Sequence, residues 1–389
     1  MTVPETIHSL SGEPAFLKQF RTDSLENLQL TGFPNSKQED WRFAKTEILF
    51  QENFETGIDH SVISYSHEVE PGVICCSLED ALKNHLPKLK TIYGQVAKEA
   101  RNGFLDLNAA IGSSGVFIHL DKNVIAKNPM HIELGGSKTS QPRIVILLEE
   151  GSSLNLILEH QAGGWINSVS EIICKKNSRL NFISIQDGGK NSFITSQTEA
   201  EVSRDAVANF FTLSLDNIFV RNNLNLRFTE SKGEAHLFGL TLLNGKNLCD
   251  NNTVVDHAFP NCFSNEFYKG IFQEDSTGVF NGKIFVRKDA QKTNAFQSNR
   301  NILLSDNATI HTKPQLEIFA DDVKCTHGAA VGQLDEEALF YLRTRGLDDD
   351  SARGMLTLAF ANDILEKIPV EEVKVKLESR IRTLLNFNS

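Results

Sequence analysis

Residues 321–328 hold the densest group of metal-ligand side chains in the sequence, Asp-Asp-Val-Lys-Cys-Thr-His-Gly. If this segment is a strand, Val323, Cys325 and His327 share one face, because strand side chains alternate. A thiolate and an imidazole so placed suit iron or zinc. Two ligands do not complete a tetrahedral site, so another chain, a sulfide or a transient donor would supply the rest. The alternative is a buried thiol beside a hydrogen-bonded histidine, which Val323 on the same face favours.

A second candidate group surrounds Cys262. His257 and Glu266 flank it on a predicted loop that contains Pro260. Such a cluster could bind a metal, but ordinary turn chemistry is the expected explanation. None of the six cysteines forms a CxxC pair, and no Cys/His grouping has structural-zinc spacing. We expect free thiols, as in a reducing compartment.

Composition and missing motifs exclude several classes of function. The formal net charge is −11, and no block of Lys and Arg offers a footprint for nucleic acid or an anionic membrane. The sequence has no phosphate-binding loop, no dinucleotide fingerprint, no HExxH and no GxSxG. Any dependence on ATP must therefore come from another chain. The first residues do not resemble a signal peptide, and no apolar run is long enough to span a bilayer, so we expect a cytoplasmic protein.

The chain divides into three zones. The first, residues 1–108, is predicted to be largely helical, with a helix-compatible stretch at 88–101 that Gly103 ends. The second, 109–333, changes to alternating short strands. From Leu154 onwards a similar strand recurs in steps of roughly 26 to 28 residues, a period typical of stacked architectures. The repeated strands begin near Leu154, Leu180, Ala208 and Ala235.

This repeat predicts a mainly β fold with a parallel β-helix, or β-solenoid, at its centre. No segment of the zone is long and apolar enough to be a crossover helix. A β-sandwich is the alternative, although it would need hairpins without a fixed repeat.

The third zone, 334–389, is predicted to be helical again. Asp335 is a plausible N-cap and Gly346 a C′ glycine, with Leu339, Tyr341 and Leu342 between them. Two further helices follow, one from Ser351 and one from Val370. They could cap the open end of the solenoid, dock a partner, or do both.

Several runs resemble the SufB/SufD family of iron–sulfur cluster assembly proteins. They lie at 268–271, 278–284, 290–293, 312–318, 321–329 and 332–346. The last two are more similar to the SufD branch. Members of the SufB branch are longer and carry a cysteine near Gln297 and Ser298, where the nascent cluster is held, whereas the segment 296–300 has no thiol here.

The resemblance implies a right-handed parallel β-helix core between helical ends, in a non-catalytic scaffold subunit without a cofactor of its own. It implies a SufB-like paralogue and the ABC-type ATPase SufC as partners, with a homodimer when the chain is alone. Iron or a forming cluster would meet His327 and Cys325 transiently at the paralogue interface. The ATPase would dock on the helices after Leu334, at Asp335, Leu339, Phe340, Tyr341 and Arg343.

Two other functions remain open at this point. One is a SufB-like scaffold that holds the cluster itself. The other is a carbohydrate-active β-helix enzyme, which would need paired carboxylates or a metal-bound base in an open groove.

Overall fold

A computed structural model of the chain describes residues 4–5, 13–52, 54, 56, 58–66, 70–98, 101–136, 138–161 and 163–385. The helices are α1 Ala15–Thr31, α2 Glu47–Gln51, α3 Leu78–Asn84, α4 Leu86–Leu89, α5 Gly103–Ile111, α6 Glu336–Thr344, α7 Asp349–Leu365 and α8 Glu371–Leu384. The strands are β1 Val62–Ser66, β2 Val73–Ser77, β3 Gly115–Leu120, β4 Met130–Gly135, β5 Thr139–Ser140, β6 Arg143–Leu148, β7 Ser153–His160, β8 Gly164–Cys174, β9 Arg179–Gln186, β10 Ser192–Val202, β11 Val207–Leu215, β12 Phe219–Phe228, β13 Glu234–Leu243, β14 Leu248–His257, β15 Phe263–Phe272, β16 Thr277–Val286, β17 Thr293–Leu303, β18 Thr309–Ile318 and β19 Val323–Gly332.

The strands form two sheets that run side by side along a solenoid of about eight coils. Sheet A has the order β1-β4-β7-β9-β11-β13-β15-β17-β19, and sheet B has the order β18-β16-β14-β12-β10-β8-β6-β3-β2, with β5 paired to β8. From β4 and β3 onwards the neighbours are parallel. The β-solenoid predicted from the repeat is therefore confirmed.

The repeat in the sequence corresponds directly to the strand register. Leu154 pairs with Leu180, Leu180 with Ala208, and Ala208 with Ala235. The residues from which the period was measured therefore stack in one column inside the solenoid. These side chains are buried in the main core together with Leu224 and Leu226 of sheet B. Burial between the two sheets explains why apolar residues recur at every second position of these strands.

The outer faces of the two sheets are covered by different parts of the chain. The N-terminal region packs on sheet B, where Trp41 and Phe104 share a core cluster with Trp165 and Phe219. The guanidinium of buried Arg221 lies 4.1 Å from the Trp41 ring centroid. The C-terminal helices pack on sheet A, where residues of α7 and α8 join Ile183, Phe211 and Phe238. Each sheet is thus buried on both faces for most of its length.

Two predictions for the first zone are wrong in detail. This zone also contains β1 and β2, which pair antiparallel with β4 and β3 and start the two sheets. The stretch 88–101 is not one helix: α4 ends at Leu89, and Gly94 has a φ of 71°, with the Phe20 ring where a side chain would lie. Gly103 begins a helix instead of ending one, because the Asn102 side chain caps α5.

The helices of the third zone do not close the end of the solenoid. They lie along the side of sheet A, while most of β19 is exposed and β18 is only partly covered. The prediction of an end cap is therefore wrong, although the predicted cap residues hold. Asp335 accepts hydrogen bonds from the backbone N–H of Glu337 and Ala338, and Gly346 has a φ of 96°. None of the helices in the described ranges is long and apolar enough to cross a membrane.

Candidate functional site

Cys325 and His327 lie on β19, the last strand of the solenoid. Both are on the strand face that points towards the inside of the solenoid. Cys325 pairs with Ala295, the next member of the column that begins at Leu154. Val323 and Cys325 pack against the core cluster that contains Ala295 and Ile284. His327 is two residues further along the same strand and has the same inward register. A strand is present here as predicted, although it begins only at Val323, and it brings the thiol and the imidazole to one face.

The two side chains differ in exposure. Cys325 is half-buried, and burial raises the pKa of its thiol, partly offset by a hydrogen bond to the backbone of Ala295. His327 is exposed at the open end. In the described part of the chain, no group of three or more Cys, His, Asp and Glu residues is arranged to hold a metal ion. Cys325 and His327 bring a sulfur atom and an imidazole to one face of β19, and both are ligand types that iron and zinc accept.

The interior becomes polar below His327. Glu266 on β15 pairs with Gln297 on β17, and Gln297 pairs with His327. We call these three residues the inner column. The Gln297 Nε2 donates to Glu266 Oε2 over 2.9 Å, and Thr253 of sheet B donates to the same oxygen over 2.9 Å, so Glu266 faces the interior. Burial raises the pKa of the Glu266 carboxyl to about 7, although the hydrogen bonds from Gln297 and Thr253 lower it by a smaller amount.

The group predicted around Cys262 does not form one site. His257 and Glu266 lie in strands β14 and β15, not on a loop, and only the turn between them carries Cys262. His257 Nε2 contacts Ser264 Oγ at 2.8 Å, while the Cys262 Sγ lies 3.4 Å from the Glu230 carbonyl oxygen. Burial lowers the pKa of His257 to about 3 and raises that of Cys262 to about 11. The hydrogen bonds serve the packing of this corner.

Helix α6 presents the residues predicted to contact an ATPase in two different ways. Leu339 is only 1% exposed and packs inward, whereas Phe340 is 67% and Tyr341 56% exposed. Arg343 is exposed and its guanidinium lies 3.4 Å from an Asp349 carboxylate oxygen. Asp335 is used as the N-cap of the helix. Of the residues predicted to contact the ATPase, Phe340, Tyr341 and Arg343 are exposed and not used by the helix itself, whereas Leu339 packs inward and Asp335 caps the helix.

The hydrogen bond between Gln297 and Glu266 was not predicted from the sequence, and Glu266 was assigned to the wrong group. A signal existed, since Glu266, Gln297 and His327 are spaced by one repeat each. The repeat lengthens to about 30 residues in the last coils, longer than the period measured earlier. Extending the repeat to the end of the zone would have placed the three residues in one column.

Within the described ranges the fold is a β-solenoid with helices along its sides, and no element covers its last coil, where the Cys325 thiol and the His327 imidazole lie. Comparison with known protein families identifies the family of this chain. Residues 131–360, more than half of the chain, match the core domain of the SufBD proteins of the SUF system for iron–sulfur cluster assembly, and residues 61–132 match the N-terminal region of SufBD proteins. The chain belongs to the SufBD family, a family of assembly scaffolds.

Individual relatives align over most of their length. The chain is 28% identical to the iron–sulfur cluster assembly protein SufD of Escherichia coli over 92% of this chain and 90% of that one. It is 27% identical to an iron–sulfur cluster assembly SufBD family protein of Synechocystis, over 92% and 88%. It is 26% identical to the chloroplastic protein ABCI7 of Arabidopsis thaliana, over 97% and 88%.

Proposed function

We propose that this chain is the SufD-like subunit of a cytoplasmic iron–sulfur cluster assembly complex, a scaffold without catalytic activity of its own. It works with a SufB-like paralogue and the ABC-type ATPase SufC. Its task is to support iron acquisition and new cluster assembly, with iron or the forming cluster as cargo. The single observation that carries this proposal is the open last coil, whose final strand, β19, carries Cys325 and His327 on one face.

The strand edges explain how a paralogue would bind. In the described ranges, β18 is the last strand of sheet B and β19 the last strand of sheet A. Such edges carry unpaired N–H and C=O groups that pair readily with strands of another chain. A partner with the same kind of end would bury both edges and enclose Cys325 and His327. The ligands that this chain lacks would then come from across the interface.

The segment 296–300 supports a SufD-like over a SufB-like role. It lies on β17, one coil below Cys325, and contains Phe296, Gln297 and Ser298 but no cysteine. The SufB-like alternative requires a cluster-holding thiol at this place. Glu266 is buried inside the solenoid, so it does not supply the carboxylate in an open groove that a sugar-polymer enzyme would need.

Co-expression with a SufB-like and a SufC-like chain tests the proposal. We expect one stable complex on a sizing column, and a homodimer or monomer when the chain is alone. Anaerobic analysis of iron and sulfide should show that His327→Ala assembles normally but loads less iron or cluster. Thr326→Ala is the matched control, because Thr326 lies beside His327 on the opposite face of β19. No complex, or unchanged loading with His327→Ala, would contradict the proposal.

A further inference from the structure

Gln297 lies between Glu266 and His327 in the inner column. Side chains at paired positions of neighbouring parallel strands point the same way, about 4.8 Å apart. Gln297 is therefore the next side chain below His327 on the inner face of the solenoid. The inner column runs from the closed interior at Glu266 to the open end.

The orientation of the Gln297 amide is fixed from below and from the side. Its Nε2 donates to the Glu266 carboxylate over 2.9 Å. Gly282 of sheet B faces it, and a Cβ at this glycine would lie 2.3 Å from Nε2. Only a glycine leaves room for the amide here. Because the amide is planar, with nitrogen and oxygen on opposite sides, an Nε2 directed to Glu266 turns Oε1 away from that carboxylate.

This Oε1 atom has no donor. Gln297 is 3% exposed, and its Oε1 is a buried acceptor without a hydrogen-bond partner. Buried acceptors are rarely left unpaired, because they lose their hydrogen bonds to water. The inner column offers one further donor beyond Gln297, the imidazole of His327. Histidines that bind metals commonly donate their second ring N–H to a carbonyl or carboxylate oxygen, which fixes the ring and its tautomer.

We propose that Gln297 is the positioning residue of His327: its Oε1 accepts the inner ring N–H, and Glu266 holds the amide in the orientation that makes this possible. The second ring nitrogen is then unprotonated and directed out of the open end. The idea that His327 meets iron or a cluster depends on the proposed function. The proposed hydrogen bond between His327 and Gln297 does not depend on it.

The tautomer of His327 is the direct readout. We would label histidine with ¹⁵N in the full-length chain and record long-range ¹⁵N–¹H correlations at a pH where the ring is neutral. The chain has 11 histidines, so a spectrum of His327→Gln assigns the resonance by difference. We expect one dominant tautomer in the wild-type chain and a mixture in Gln297→Met. Glu266→Gln, which lets the amide adopt either orientation, should give an intermediate result and provides a second test if Gln297→Met folds poorly.

Asn299→Leu is the matched control. Asn299 lies on the same strand, is also buried, donates to the Tyr268 carbonyl, and pairs with Ala329 instead of His327. It should leave the His327 tautomer unchanged. An equal effect of Asn299→Leu, or no effect of Gln297→Met and Glu266→Gln, would overturn the inference. The measurement uses neither iron nor a partner chain. A negative tautomer result would therefore not contradict the proposed complex, and failure to form the complex would not contradict a positive tautomer result.

Discussion

The Nζ atom of Lys269 on β15 lies 2.6 Å from Oδ2 of Asp363 on α7, so an ion pair joins the solenoid to its C-terminal helices. The lysine side chain is only 3% exposed. It also donates to the Phe360 carbonyl over 2.8 Å and lies 3.9 Å from the centroid of the Phe360 ring. Helix α7 is thus tied to sheet A through a lysine that is itself buried.

Asp363→Ala should weaken this connection. Lys269 would remain buried without its carboxylate, and we expect a loss of about 1–3 kcal/mol in the free energy of unfolding, as for other hydrogen bonds to charged groups. Urea unfolding measures it. Lys376→Ala is the control, because Lys376 pairs with Glu159 on the surface and such pairs contribute about 0–1 kcal/mol. Equal stability of Asp363→Ala and the wild-type protein would contradict the prediction.

Glu266 should make stability depend on pH. The pKa of its carboxyl is raised from 4.5 to about 7 in the folded chain, so the native state binds the proton more tightly than the unfolded state. Its contribution is complete below pH 4.5 and is lost as pH rises towards 7, on the order of 3 kcal/mol in all.

The comparison of wild type with Glu266→Gln isolates this effect. The glutamine does not titrate. The unfolding free energy of the wild type, relative to that of the variant, should therefore be highest at pH 4.5 and should decrease by pH 8. His257 and the other titratable groups remain in both proteins and cancel. Parallel stability profiles over this range would show that Glu266 is not the group responsible.

Gly282→Ala should destabilise the last coils. The new Cβ would meet the Gln297 amide at 2.3 Å and the Phe280 ring at 2.7 Å. Overpacking of this kind costs about 1–3 kcal/mol, measurable by thermal or urea unfolding. Gly328→Ala is a suitable control, because nothing lies within 4 Å of the position its Cβ would take. If both variants unfold alike, the space opposite Gln297 is not restricted.

Phe340→Ser and Tyr341→Ser should weaken binding of the ATPase without unfolding the chain, because both rings are exposed on α6. Pull-down with the SufC-like chain measures binding. Leu339→Ala should act differently: it removes a buried side chain and costs about 2 kcal/mol or more, so any loss of binding would accompany a loss of stability. Full binding by the double aromatic variant would assign the docking surface elsewhere.

The sequence predicted the solenoid well, because stacking places one residue of each coil in the same column. Leu154, Leu180 and Ala208 show this directly. It did not predict β1 and β2, because these strands pair antiparallel and stand outside the repeat. The break at Gly94 depends on contact with Phe20, which is distant in sequence.

The candidate site was predicted in part. Alternation along one strand was enough to place Cys325 and His327 on the same face, since that relation is local. The contact between Gln297 and Glu266 was not predictable in the same way, because it depends on the register between coils. Similarly, the sequence could not show that Leu339 turns inward while Phe340 and Tyr341 turn outward, because the face that α6 buries is set by the helix beside it.

The two ends of the solenoid are unlike each other. At the beginning, β1 and β2 run against their neighbours, while at the finish β18 and β19 keep the direction of the stack. A rod with two equivalent ends could recruit copy after copy and grow into a fibre, as head-to-tail contacts do. Here the first and last strands differ in direction, so a partner that fits β18 and β19 does not fit β1 and β2 in the same way.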